Sequence, residues 1–130
     1  MKQMKILLAD DQELLRSALR LWLEQQPYIR VVEEAAELSS LLAKIELALP
    51  DILLLDWELP GLSLKNSGYQ LLHTLRRGFP QMRVIALSSH PESKRSALDA
   101  GVDAFVSKTA PPDYLLDAFN LVSGLTNTGE

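Results

Sequence analysis

The sequence has no cysteine and only two histidines, His73 and His90, among its 130 residues. The absence of cysteine excludes disulfide bonds, thiolate catalysis and cysteine-ligated metal from the chain. Two histidines are too few for a metal site built from histidines alone. Any chemistry that this protein performs therefore depends on carboxylates, hydroxyls or lysines.

Long hydrophobic runs are also missing from the sequence. No apolar stretch reaches the ~18 to 20 residues that a membrane span requires, and the Met1–Gln3 start leads into a strand-like segment rather than a signal peptide. The net charge of −4 makes a nucleic-acid backbone an unfavourable direct partner. We expect a cytoplasmic location, with no direct contact to membrane or nucleic acid.

The length and the composition predict a single folded domain. A chain of 130 residues has the size of one domain. Its 47% hydrophobic and 23% charged residues lie near the globular average, which excludes a disordered or fibrous chain. We expect the domain to cover residues 1–124 and a loose tail to cover residues 125–130.

Five short apolar runs alternate with segments of helical spacing. Each run is too short for a helix and is typical of a strand buried on both faces. The predicted strands are Lys5–Ala9, Ile29–Val32, Ile52–Leu55, Val84–Leu87 and Ala104–Val106. Five strands that alternate with five helices predict an α/β domain with a parallel sheet. Right-handed crossovers favour a doubly wound, flavodoxin-like sheet of order 2-1-3-4-5, an order taken from known folds of this kind.

Residues that can carry chemistry follow four of the five predicted strands. They are Asp10-Asp11 after strand one, Asp56 after strand three, Ser88-Ser89 after strand four and Ser107-Lys108 after strand five. In an open parallel sheet the ligand site lies beyond the carboxyl ends of the strands, so we expect these side chains at one edge. Strand two ends in Glu33-Glu34, but it is the outermost strand of the predicted order and lies away from the switch point. Single residues of these types usually cap helices or form turns, but the combination is much more specific.

The three aspartates restrict what this edge can do. Carboxylates within several ångströms repel each other, so the site must hold a proton, bind a cation or pair with Lys108. A hard cation satisfies this best, and Mg²⁺ typically takes one or two carboxylates, a phosphate oxygen and waters. We expect one of Asp10 and Asp11 to ligate directly and the other partly through water. Asp56 is then suited to attack a phosphoryl group whose oxygens are stabilised by the metal, Lys108 and Ser88.

At these residues the sequence resembles the receiver domain of two-component response regulators, from Lys5 to about Val122. The resemblance rests on Ala9-Asp10-Asp11, Asp56-Trp57-Glu58-Leu59-Pro60-Gly61, Ala86-Leu87-Ser88-Ser89, Gly101-Val102-Asp103-Ala104 and Phe105-Val106-Ser107-Lys108. The stretch from Gly101 to Pro112 is most similar to the LuxR-type transcriptional subgroup, in which a DNA-binding helix-turn-helix module normally follows.

The resemblance implies a signalling module and not an enzyme with an external substrate. It implies that Asp56 accepts a phosphoryl group from a sensor histidine kinase and that Lys108 contacts this group. Asp10, Asp11 and the backbone carbonyl of Glu58 would complete the Mg²⁺ site. The domain would catalyse only its own phosphoryl transfer and dephosphorylation.

The resemblance also implies a conformational switch. Ser88 matches the switch hydroxyl and Phe105 the aromatic switch position, while Glu58 and His90 flank the path of the hydrolytic water and would tune the phosphoryl lifetime. Phosphorylation would change the surface formed by helix four, strand five and helix five, and so control a homodimer or an output partner. Exposed candidates on that surface are Lys94, Arg95, Asp99, Asp113 and Asp117.

Three features depart from the family pattern. The loop at residues 62–67 is about four residues longer than usual, and its Lys65 could contact the phosphoryl group or remain a solvated loop residue. Thr109 replaces the common proline after Lys108. Phe105 lacks the hydroxyl that a tyrosine carries at this position, so only packing can stabilise its inward rotation.

Other functions fit the residues less well. A pseudo-receiver that signals without phosphate is the main alternative, but such modules tend to lose one or more of the site residues that are intact here. A haloacid-dehalogenase-like phosphatase would require Asp-x-Asp after the first strand, where this chain has Asp10-Asp11-Gln12. A flavodoxin would require a phosphate-binding loop there, and an acidic loop repels the phosphate of the flavin.

Overall fold

The computed structural model of the chain describes residues 3–62 and 66–126. Within these residues, five strands alternate with five α-helices. The strands are β1 (Met4–Ala9), β2 (Ile29–Ala35), β3 (Ile52–Asp56), β4 (Arg83–Ser88) and β5 (Ala104–Ser107). The helices are α1 (Glu13–Glu24), α2 (Leu38–Ala48), α3 (Ser67–Gly78), α4 (Lys94–Ala100) and α5 (Pro112–Thr126).

The strands form one parallel sheet in the order β2-β1-β3-β4-β5. This order confirms the predicted doubly wound α/β fold with its 2-1-3-4-5 sheet. Strand β3 lies at the centre, between β1 and β4. Its last residue, Asp56, is therefore flanked by the carboxyl ends of both neighbouring strands.

Helices cover both faces of the sheet because alternate residues of a strand point to opposite sides. Leu7 of β1 and Leu53 of β3 belong to the hydrophobic cluster that includes residues of α2, α3 and α4. Ile6 and Ile52, one position earlier on the same strands, belong to the cluster that includes Phe119 of α5 and residues of α1. The strands read as continuous apolar runs because both of their faces are buried.

Strand β2 extends to Ala35, so the predicted end at Val32 was wrong. Glu33 and Glu34 lie within the strand, paired with Leu7 and Leu8 of β1. The acidic pair interrupts the apolar run in the sequence, but backbone pairing continues through it. An edge strand tolerates such charges because one of its sides is open to charged partners and solvent.

The structure defines where α4 begins and where α5 ends. Pro91–Ser93 form a 3-10 turn, and α4 begins only at Lys94. Helix α5 begins at Pro112 and continues to Thr126, two residues past the proposed boundary at residue 124. That boundary stays a prediction, because residues 127–130 lie outside the described part of the chain.

The loop between β3 and α3 is anchored at both of its described ends. Leu62 is buried and donates a backbone hydrogen bond to the carbonyl of Leu59 at 2.9 Å. The hydroxyl of Ser67 donates to the carbonyl of Leu62 at 2.7 Å. Residues 63–65, which include Lys65, lie outside the described residues. The two possible roles of Lys65 therefore stay predictions.

Gly68 lies closely against the indole ring of Trp57, next to Asp56. A Cβ atom added to Gly68 would lie 2.8 Å from Cζ2 and Cη2 of Trp57. We predict that Gly68→Ala lowers the free energy of unfolding by about 1–3 kcal/mol, the usual cost of overpacking, and changes the fluorescence of Trp57. Urea unfolding in a Trp22→Phe background measures both effects.

Gly78 provides a matched control at the end of the same helix. A Cβ atom added there meets nothing within 4 Å. We expect Gly78→Ala to leave Trp57 fluorescence unchanged and not to lower stability, because alanine is the better helix former by about 0.5–1 kcal/mol. A Gly68→Ala variant that is as stable as the wild type would contradict the close packing.

In the described residues, every helix is too short or too polar to cross a lipid bilayer.

Candidate functional site

The carboxyl ends of four strands bring the predicted polar residues together. Asp10 directly follows β1, Asp56 is the last residue of β3, and Ser88 is the last residue of β4. Lys108 directly follows β5 and donates a backbone hydrogen bond to the carbonyl of Ser88 at 2.8 Å. Asp10, Asp56 and Ser88 are all buried. The apolar strands thus position the polar groups at one edge of the sheet, as the sequence predicts.

Lys108 lies between the two buried carboxylates. Its Nζ atom is 3.0 Å from Oδ2 of Asp10 and 3.1 Å from Oδ1 of Asp56, and it donates to Oε1 of Gln12 at 3.4 Å. Burial disfavours the charged form of Lys108, but its hydrogen bonds with Asp10 and Asp56 and their negative charges together raise its pKa. Lys108 is therefore a stable cation in the site.

The turn around Lys108 is ordered even though Thr109 replaces proline. The hydroxyl of Ser107 accepts a hydrogen bond from the backbone N–H of Thr109 at 3.2 Å and lies 2.8 Å from its Oγ1 atom. Such side-chain contacts with the local backbone are typical of turns. The Ser-Lys-Thr sequence thus supplies polar contacts that help to fix the lysine turn.

The environment of Asp56 shifts its pKa strongly. Burial raises its pKa from 3.8 to about 6, and the negative charge of Asp10 acts in the same direction. The hydrogen bond from the backbone N–H of Glu58 and the ammonium group of Lys108 oppose this shift. A buried carboxylate held this way is stabilised further by any additional cation.

The acidic cluster could bind a metal ion. Carboxylate oxygens of Asp10, Asp11 and Asp56 lie within 4.8 Å of one another, and Asp11 is exposed to solvent. Oδ2 of Asp10 is buried, and its described partner is the ammonium group of Lys108 at 3.0 Å. Because every side-chain atom that this cluster offers to a metal is a carboxylate oxygen, the cluster suits a hard cation.

Arg16 and Glu34 fix the backbone of Asp10, and neither was predicted from the sequence as a site residue. Arg16 donates to the carbonyl of Asp10 at 2.6 Å and to the carboxylate of Glu34 at 2.7 Å. Burial acts to raise the pKa of Glu34, but Arg20 and Arg16 together lower it. The signal available in the sequence was an acidic residue just after an apolar run, together with a helix that carries two arginines, and this combination is too common to be specific.

The side chain of Glu58 contacts the end of β4. Its carboxylate accepts hydrogen bonds from the hydroxyl of Ser88 at 2.6 Å and from the backbone N–H of Ser89 at 3.0 Å. The backbone N–H of Glu58 donates to Oδ1 of Asp56 at 2.9 Å. The sequence predicts that the backbone carbonyl of Glu58 contributes to the metal site and that Glu58 flanks the path of the hydrolytic water. The contact of its carboxylate with Ser88 was not foreseen.

His90 follows the end of β4 by two residues, and Phe105 is the second residue of β5. The exposed imidazole of His90 has its Nδ1 atom 3.3 Å from the carboxylate of Glu92. Phe105 is partly buried and packs against the cluster formed by the α2, α3 and α4 face of the sheet. The structure therefore places His90 beyond β4 and Phe105 within β5, packed against this cluster. Their roles as tuning and switch residues stay predictions.

Comparisons with known protein sequences point to one kind of domain. Residues 6–120 match the family described as response regulator receiver domain. The transcriptional activator protein ExaE of Pseudomonas putida is 36% identical over 121 residues, which are 92% of this chain and 55% of that protein. The chain spans about half the length of the curated relatives it matches.

Solved structures agree with the sequence comparisons. A two-component response regulator of the LuxR family from Aurantimonas sp. SI85-9A1 has a TM-score of 0.83 and 26% identity, covering 95% of this chain and 86% of that one. RcsB from Salmonella enterica serovar Typhimurium, bound to the rprA promoter with the phosphomimetic BeF3⁻, has a TM-score of 0.82 and 25% identity. The match covers 95% of this chain and 61% of that one.

Proposed function

The chain belongs to the family of response regulator receiver domains, within the LuxR-type regulators, and we propose on this basis that it accepts a phosphoryl group from a sensor histidine kinase on Asp56. The observation that carries the proposal is the buried carboxylate of Asp56, with Lys108 at 3.1 Å and carboxylate oxygens of Asp10 and Asp11 within 4.8 Å. A receiver domain is a signalling module rather than a metabolic enzyme. A cytoplasmic location is part of the same proposal.

Asp56 performs the covalent step in this proposal. Its carboxylate oxygen attacks the phosphorus of a phosphohistidine on the kinase and forms an acyl phosphate, while the P–N bond breaks with its electron pair moving to the imidazole nitrogen, which takes up a proton from water. With a pKa of about 6, most Asp56 side chains are ionised, and therefore nucleophilic, at neutral pH. Lys108 stays beside the reacting oxygen and neutralises charge on the transferred group.

The cation in this proposal is Mg²⁺. Asp10, Asp11, Asp56 and the backbone carbonyl of Glu58 would hold it. When bound, it neutralises charge on the phosphoryl oxygens. The all-oxygen set of side chains supports this choice, since Mg²⁺ binds carboxylates and phosphate oxygens and keeps several waters.

Ser88 and Phe105 would convert phosphorylation into a change of surface. The new group carries about −1.5 to −2 charges and strong acceptor oxygens, to which the hydroxyl of Ser88 can donate. The backbone of Lys108 is hydrogen bonded to that of Ser88, so movement at the end of β4 is transmitted to the turn after β5. Phe105 then repacks, and Glu58 and His90 tune the hydrolysis that reverses the switch.

The switched surface would bind a second copy of the domain or an output partner. Helix α4, strand β5 and helix α5 enclose a shallow groove beside Phe105, with Leu98, Tyr114 and Leu121 exposed around it. Charged residues on the same surface are all exposed, namely Lys94, Arg95, Asp99, Asp113 and Asp117. Transcription regulation, through an output domain, is the outcome suggested by the name of ExaE.

A small phosphodonor tests the proposed function directly. We predict that acetyl phosphate with Mg²⁺ adds the mass of one acid-labile phosphoryl group to the wild-type chain and changes the fluorescence of Trp57. Chelation of the metal with EDTA should prevent both changes, because the acidic cluster then lacks its charge-neutralising ion. Intact-mass spectrometry and fluorescence titration provide the readouts. A chain that gains no mass under these conditions would instead be a phosphate-independent pseudo-receiver.

A further inference from the structure

The carboxylate of Glu58 bridges the end of β3 to the end of β4. It accepts hydrogen bonds from the hydroxyl of Ser88, the backbone N–H of Ser89 and the hydroxyl of Ser89, at 2.6, 3.0 and 3.2 Å. Ser88 is fully buried, whereas Glu58 is only partly buried. Hydrogen bonds to an ionised acceptor are the stronger kind, so these contacts hold the β4 end in the conformation seen here.

The hydrogen of the Ser88 hydroxyl has two competing acceptors in this conformation. The carboxylate of Glu58 lies at 2.6 Å and the carbonyl of His90 at 3.2 Å, so the shorter and charge-assisted bond goes to Glu58. The same oxygen accepts the backbone N–H of His90 at 2.9 Å. A hydroxyl has one hydrogen to donate. While Glu58 holds it, Ser88 cannot donate to a group on Asp56.

We propose that the carboxylate of Glu58 is a latch that holds Ser88 and Ser89 in the resting conformation and is released by the additional negative charge of a phosphoryl group on Asp56. The proposal rests on the proposed function of Asp56 as phosphoryl acceptor. The backbone N–H of Glu58 already binds Oδ1 of Asp56 at 2.9 Å, so an added phosphoryl group arrives close to the latch. Repulsion between like charges then drives the carboxylate toward solvent and frees the hydroxyl of Ser88.

The latch makes Glu58 a positioning residue that favours the resting state of the domain. It stabilises the resting state and not the phosphorylated state, so its removal shifts the equilibrium toward the active state. A ligand that binds the active state more tightly then binds with higher affinity. Glu58→Gln keeps an oxygen that can accept from Ser88 and Ser89 but has no charge to be repelled.

The first test uses the metal-free, unphosphorylated chain. We expect Glu58→Ala to speed amide hydrogen exchange at Ser89 about tenfold or more, as the loss of a hydrogen bond to a charged group predicts. Glu58→Gln should restore much of the protection. The matched control is Glu92→Ala. Glu92 is an exposed acid in the 3-10 turn that follows Ser89, and its carboxylate pairs with His90 and not with Ser89. Unchanged exchange at Ser89 in Glu58→Ala would overturn the proposal.

The second test titrates BeF3⁻ with Mg²⁺ and follows the fluorescence of Trp57. We expect Glu58→Ala to bind about tenfold more tightly than the wild type, and Glu58→Gln to stay closer to the wild type. Equal gains in both variants would mean that Glu58 only repels the anion, and would overturn the latch. A wild type that binds no BeF3⁻ contradicts the proposed function, while the exchange experiment still decides whether the latch exists.

Discussion

The Asp56→Asn variant is expected to gain no phosphoryl mass from acetyl phosphate and Mg²⁺, and its Trp57 fluorescence should not respond. A neutral carboxamide is not a nucleophile for phosphorus in the way that a carboxylate is. The variant should keep the fold, because the side-chain oxygen of asparagine can still accept the hydrogen bond that Glu58 donates to Oδ1 of Asp56. Intact-mass spectrometry before and after mild acid treatment measures the effect.

Asp51 provides the matched control for this loss. It lies just before β3, at the opposite end of the strand from Asp56, and its carboxylate accepts a hydrogen bond from the backbone N–H of Lys5 at 2.8 Å. Asp51→Asn changes the net charge equally and keeps an acceptor oxygen. We expect it to be phosphorylated like the wild type. An acid-labile phosphoryl group that persists on Asp56→Asn would show that another residue is the acceptor.

The second large effect is a gain of stability in the same variant when no metal is present. Asp56 has a pKa of about 6 in the folded chain against 3.8 for an ordinary aspartate, so the folded state holds its proton to higher pH than the unfolded state. Wild-type stability therefore falls as pH rises from about 4 to about 6 and stays lower above that range. Each pKa unit corresponds to 1.36 kcal/mol. The difference between 3.8 and about 6 therefore lowers the free energy of unfolding of the wild type by about 3 kcal/mol at neutral pH.

Asparagine cannot ionise, so Asp56→Asn should not show this fall. We expect the free energy of unfolding of the variant to exceed that of the wild type by about 3 kcal/mol near pH 7.5. Near pH 4 the two values should be about equal. Urea unfolding in EDTA at both pH values measures the difference. Mg²⁺ should then stabilise the wild type more than the variant. A variant whose advantage is the same at both pH values would contradict the assignment to Asp56.

Much of the fold could be predicted because it follows from local composition. A parallel strand that is buried on both faces leaves a short apolar run in the sequence, and Ile52–Leu55 is such a run. The structure continues β3 by one residue to Asp56. Strand β2 was predicted too short because Glu33 and Glu34 give no apolar signal, although they pair with β1.

The composition of the site edge could also be predicted, but its hydrogen bonding could not. Asp10, Asp56 and Lys108 stand at strand ends, and the topology of a parallel sheet brings such ends together. The contact between Glu58 and Ser88 depends on the pairing of Asp56 with Leu87 and on the path of the chain beyond both strands. Glu58 and Ser88 are 30 positions apart, and no local pattern in the sequence encodes such a contact.

Lys108 has a further consequence for how the site takes up a metal ion. Its ammonium lies within 3.1 Å of both buried aspartates, so it acts as a built-in counter-ion for a folded domain without metal. An incoming divalent ion must exchange with this internal charge for the same oxygens. Affinity for the ion is therefore a difference between two electrostatic attractions, and an anionic ligand that draws the ammonium toward itself leaves the carboxylates free for the metal.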